Sequence, residues 1–129
     1  MRRLHVHLCI GFLLLTSCAT FLSEQQYIQV DEEVTETILP SGLMFSIPEK
    51  RDIRKIVILG EGTVTNIEIY VRNAEDSWKP IKAIKRTVAF PIELNLALHA
   101  DAVRIIQKRI TGRGRINTVQ FYALAKEQQ

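Results

Sequence analysis

Three stretches of the chain alternate apolar and polar residues with a period of two. Ile92, Leu94, Leu96 and Leu98 stand against Glu93, Asn95 and His99; Ile67, Ile69 and Val71 against Glu68, Tyr70 and Arg72; Val119, Phe121 and Ala123 against Gln120 and Tyr122. Successive side chains of an extended chain point to opposite faces, so each stretch predicts a strand with one face buried. Residues 53–59 form a mostly apolar, β-branched run suited to a strand buried on both faces, and residues 102–108 fit a partner strand. Further strands are predicted over 27–30, 43–47 and 79–85. Turn-forming residues separate these runs at 40–42, 60–62, 73–77, 99–101 and 112–114. A helix over 94–107 is argued against by the strict alternation up to Leu98 and by the branched Val103, Ile105 and Ile106. Seven or eight short antiparallel strands at this spacing predict an all-β fold, a jelly-roll-like β-sandwich. Residues 79–85, with Pro80 and three lysines, read as an edge strand that discourages sheet addition.

The start of the chain follows a different pattern. Arg2 and Arg3 precede an apolar run over 8–15 that is too short for the roughly 20 residues needed to span a bilayer. Residues 1–17 are therefore expected to be a signal peptide. The sequence Leu15-Thr16-Ser17-Cys18 resembles a bacterial lipobox. That resemblance implies cleavage before Cys18, acyl chains on its thiol, and an exported lipoprotein held to the membrane by several chains together. In such lipoproteins an Asp after the Cys favours the inner membrane. Ala19 stands there, so the outer membrane is expected if the host has two. Cys9 would leave with the signal peptide, and the lipid-linked Cys18 would leave no thiol for a disulfide, a metal or a nucleophile.

At 129 residues, 47% hydrophobic and 24% charged, the chain is sized and composed for one globular domain, not for a disordered or multi-span protein. Its charge is uneven. Residues 19–49 carry six acids and no Lys or Arg, whereas 50–129 carry fifteen bases and eight acids, a surplus of seven. The expected organisation is a signal peptide (1–17), an acidic segment (18–49) that is either a tether or one or two edge strands, and a β-sandwich core (50–129). The basic residues alternate with apolar ones along the predicted strands instead of forming a stripe, so nucleic-acid binding is not expected.

The order of the segments Ile53-Arg54-Lys55-Ile56-Val57-Ile58-Leu59, Thr65-Asn66-Ile67-Glu68-Ile69-Tyr70-Val71, Trp78-Lys79-Pro80-Ile81, Ala102-Val103-Arg104-Ile105 and Ile116-Asn117-Thr118-Val119-Gln120-Phe121-Tyr122 resembles the core strands of discoidin domains (coagulation factor 5/8 type C). The resemblance spans about residues 50–124 and implies a galactose-binding-like jelly roll. Its motifs are mostly core patterning, which speaks to fold more than to function. The family's usual opening segment, rich in Ala, Asp, Gly and Trp, is missing or replaced by the acidic stretch. Such domains often bind sugars, phospholipids or other surface ligands through loops at one end, and the corresponding loops here are short.

Candidate chemistry is sparse. Gly60-Glu61-Gly62 lacks the third glycine and the helix of a phosphate loop and reads as a tight turn. Gly112-Arg113-Gly114-Arg115 could bring two guanidiniums and bare N–H groups to an anion, or simply be a hairpin turn with solvated arginines. Trp78 is the only tryptophan, able to stack on a pyranose if exposed or to pack against the sandwich if not. His99, the only histidine beyond the signal peptide, reads as a surface residue and Asp101 as a turn or cap. Tyr70, Arg104 and Tyr122 fit outward strand positions. Glu61, Glu75, Asp76 and Asp101 are loop acids without EF-hand spacing. No catalytic set, metal site or cofactor is named by these residues. The expected function is a non-enzymatic, membrane-anchored binding module for a surface glycan or other envelope ligand, with Trp78, Arg113 and Arg115 as contacts. The alternative is a structural or assembly accessory that docks on another envelope protein.

Overall fold

The structure is a computed structural model that describes residues 27–107 and 114–125. The signal peptide, Cys18 and Arg113 lie outside the described residues. Those described form an all-β fold of seven strands with no helix: β1 (Tyr27–Gln29), β2 (Thr35–Leu39), β3 (Gly42–Glu61), β4 (Thr63–Arg72), β5 (Trp78–Ala89), β6 (Ile92–Gln107) and β7 (Arg115–Leu124). Every pairing is antiparallel, in one sheet of order β1-β7-β3-β6-β4-β5 with β2 added against β3.

Two strands are long. At about 3.3 Å per residue a straight strand the length of β3, 20 residues, would exceed the width of a domain this size. The pairing shows how it is accommodated. Residues 42–46 of β3 pair with β2 and with 102–106 of β6, whereas 53–58 pair with β7 and with 92–98 of β6. β3 and β6 thus serve two halves of the sheet, one completed by β2, β4 and β5 and the other by β7 and β1. A sheet with no helix to cover it buries an apolar face only by folding onto itself. Phe45, Ile53, Ile56, Ile58, Ile67, Ile69, Val71, Val103, Ile105, Val119 and Phe121 accordingly form one fully buried cluster in a sandwich-like arrangement.

The period-two stretches lie where expected, with their apolar faces inward. Irregularities keep the phase. The β4–β5 register slips between Thr65 and Ile67, where Asn66 adopts a φ of 59°. Val64 and Ile67, an odd number of residues apart, can then both face the core. β3 passes to β4 through Gly62 alone, whose φ of 74° suits a residue without Cβ.

The expected turn at 99–101 is strand instead, and two expected strands are one. Residues 43–47 and 53–59 belong to the single strand β3, and Pro48 and Glu49 are absorbed by a register shift between Ser46 and Arg51. His99 to Asp101 also continue as strand within β6, because their polar side chains find partners on neighbouring strands. Residue 49 is therefore inside β3, and Phe45 and Ile47, on the acidic side of it, are part of the core. β5 lies at one end of the sheet order, in keeping with the edge role of Pro80 and its lysines.

Candidate functional site

Antiparallel register brings the outward residues of β4, β5 and β6 together. Arg104 of β6 is the partner of Tyr70 of β4, and Arg72 of β4 is the partner of Trp78 of β5. Their neighbours Val103, Ile105, Ile69 and Val71 point inward and are fully buried, which turns this set of four to the outside.

The guanidinium of Arg104 lies 5.0 Å from the Tyr70 ring centroid and 4.6 Å from that of Trp78. Arg72 approaches the same indole at 5.7 Å. Guanidiniums are held over aromatic rings by the ring quadrupole and by dispersion. The two arginines differ in their remaining partners. Arg72 donates from Nε to Asp101 Oδ1 at 2.9 Å and from Nη2 to Oδ2 at 3.2 Å, a bidentate pair. Arg104 has no ion pair among the described residues, and its Nε is buried without a hydrogen-bond partner. A positive fork is therefore held between two rings without an ion pair among the described residues, while the Tyr70 hydroxyl donates to Glu68 at 2.6 Å.

Lys50 closes one end of this face. Its Nζ donates to the Asn73 carbonyl at 2.7 Å and to Asp76 at 2.8 Å, and lies 3.5 Å from Asp101. The connection from β4 to β5 is held by Asn73, whose Oδ1 accepts from the N–H groups of Glu75 and Ser77. The hydrogen bond to Asp76, helped by the charges of Asp101 and Asp76, raises the Lys50 pKa above its ordinary value against the opposing effect of burial. The Arg72 pKa is raised by its bond to Asp101. Burial pushes the Asp101 carboxyl upward, but hydrogen bonding and charge from Arg72 and Lys50 together outweigh it and hold the group below the usual carboxylate value. Next to Lys50 a cavity of about 650 Å³ opens among Arg51, Asp52 and His99, backed by Ile28 and Val30.

Trp78 is half-buried, with its ring already occupied by guanidiniums, so it is neither a bare sugar platform nor a core residue. Arg115 is exposed at the start of β7, opposite Glu61. The two do not converge. Gly114 packs against Thr63 at one end of β4 and Trp78 pairs with Arg72 at the other, roughly 30 Å along a ten-residue strand. Asp101, expected in a turn, instead receives Arg72 within β6, and His99 is exposed and hydrogen-bonded to Asp52 at 2.9 Å. Tyr122 faces outward with Lys55 over its ring at 4.5 Å. Among the described residues no cluster of three or more His, Cys, Asp or Glu side chains could hold a metal ion. Sequence reasoning placed Tyr70 and Arg104 on outward faces but could not join them, because their meeting depends on inter-strand register. Neither protein-family models nor curated proteins match this chain.

Proposed function

We propose that this chain is a non-enzymatic binding module of the cell envelope, lipid-anchored through Cys18, that holds an anionic surface glycan on the outer face formed by Tyr70, Arg72, Trp78 and Arg104. The observation that carries the reading is Arg104, a guanidinium fixed between two rings with no carboxylate partner among the described residues. A free Arg side chain must lose rotamer freedom on binding, whereas a stacked one has already lost it, and its two-pronged donor geometry matches carboxylate, sulfate or phosphate. The flanking rings offer apolar edges to the pyranose that carries the acidic group. The lipobox pattern and the resemblance of the segment order in the sequence to discoidin domains support the same reading, the first for an envelope anchor and the second for a ligand-binding jelly roll.

The test is a pull-down of glycans from envelope extract with the chain from Ala19 onward, alongside an Arg104→Gln variant. Recovery of an acidic glycan that Arg104→Gln loses supports the reading. Recovery of only neutral glycans, or equal recovery by the variant, refutes it.

A further inference from the structure

Among the described residues, the charge asymmetry of the sequence reappears as two unpaired sheet edges of opposite sign. At one margin β2 pairs only with β3 among the described residues, and its exposed face carries Glu36 and Ile38, the latter 82% exposed, with Glu33 just before it. Neither Glu33 nor Glu36 has an ion pair among the described residues. At another margin β5 pairs only with β4 among the described residues. Although just Phe90 and Pro91 separate β5 from β6, the two strands do not pair, and a groove of about 700 Å³ opens between them. Its floor is apolar, made by Ile84, Val88, Ile92 and Leu94; its β5 wall carries Lys82, Lys85 and Arg86, and a single acid, Glu93, lines the β6 side, so the groove is net basic. These three cations are exposed and also lack ion pairs among the described residues.

We infer that copies of the chain associate head to tail, the acidic β2 margin of one copy seating Ile38 in the groove beside the basic β5 margin of the next. Lysines on an edge strand repel another basic edge, but an acidic edge meets them as partners. β5 departs from regular register opposite Asn66 and again near Tyr70, which interrupts a continuous ladder. The contact is therefore made by side chains: carboxylates against Lys82, Lys85 and Arg86, and Ile38 against the apolar floor. Because the two surfaces differ, the contact is heterologous. Each added copy leaves one margin of each kind free, and the series grows without closing at a dimer unless the rotation makes a ring. This inference is independent of the glycan-binding reading, since none of its residues belongs to the Arg104 face.

The experiment is sedimentation velocity on the chain from Ala19 onward, which keeps every described strand. At about 50 mM salt the weight-average sedimentation coefficient is expected to rise with concentration past that of a dimer, and at about 500 mM the rise is lost through screening. Two variants change only exposed positions. Lys82→Glu/Lys85→Glu removes the basic margin and Glu36→Gln/Ile38→Ser the acidic one. Each alone is expected to stay monomeric, while their mixture forms a one-to-one complex that grows no further. A wild-type chain that stays monomeric at hundreds of micromolar overturns the inference. So does association that both variants leave intact, and so do two monomeric variants that fail to combine.

Discussion

Asp101 of β6 receives both prongs of Arg72 from β4, on the same outer face where Arg104 has no ion pair among the described residues. Of the two arginines near one indole, Arg72 is thereby tied to a carboxylate and Arg104 is held by rings alone among the described residues. The Arg72 pair fastens β4 to β6, and with Lys50 it ties in the connection between β4 and β5. That fixes Trp78, and Trp78 in turn helps to fix Arg104.

Asp101→Asn removes a charge-assisted bidentate bond at a carboxylate that is only 14% exposed, and is expected to cost about 1–3 kcal/mol near neutral pH. The folded-state pKa of Asp101 lies below its unfolded value, so its contribution is complete above about pH 4 and is lost as pH falls through the folded value. Urea denaturation between pH 7 and pH 2 checks this. The variant should show a shallower loss of stability on acidification than the wild type, and parallel curves would refute the assignment.

Phe45 is 1% exposed in the common core although it belongs to the acid-rich part of the chain. Phe45→Ala is expected to destabilise the fold by about 3–5 kcal/mol, as large-to-small changes in a packed core do. Deleting residues up to 49 should abolish cooperative unfolding altogether, because it removes β2 and half of the partner surface of β6. Calorimetry decides both. A truncated chain that still melts cooperatively would mean that residues 27–49 are dispensable.

Most strand positions and their inward faces were legible because period two is a local signal: Ile67, Ile69, Val71, Val119 and Phe121 read as core and are buried, whereas β2 (Thr35–Leu39), a mostly exposed edge strand, carries no such alternation and was not legible. Strand length was not legible either. Residues 43–47 and 53–59 read as separate strands and His99 to Asp101 as a turn; a register shift carries β3 across Pro48 and Glu49, and partners far away in sequence, Asp52 for His99 and Arg72 for Asp101, keep the latter in β6. The stack of Tyr70, Arg104 and Trp78 was illegible for the same reason: each residue lies on a different strand, and only register brings them together.

Gly114 illustrates close backbone approach. A Cβ built there would lie 1.8 Å from the Thr63 carbonyl oxygen, so Gly114→Ala must push β7 away from the start of β4. A cost of about 1–3 kcal/mol is expected, read as a lower denaturation midpoint. An unchanged midpoint would mean that the two backbones separate freely.

Because Trp78 is the only tryptophan, its emission reports directly on the stack that holds Arg104. The decisive measurement is a fluorescence titration of the chain from Ala19 onward with a carboxylated oligosaccharide and with a neutral one of equal length. A saturable change is predicted for the carboxylated sugar alone, weakened by salt and at least about tenfold weaker in Arg104→Gln, since a lost charge-assisted hydrogen bond is worth roughly 1.5–3 kcal/mol. Equal responses to both sugars, or an affinity that Arg104→Gln leaves unchanged, would contradict the assignment of this face as an anion-binding site.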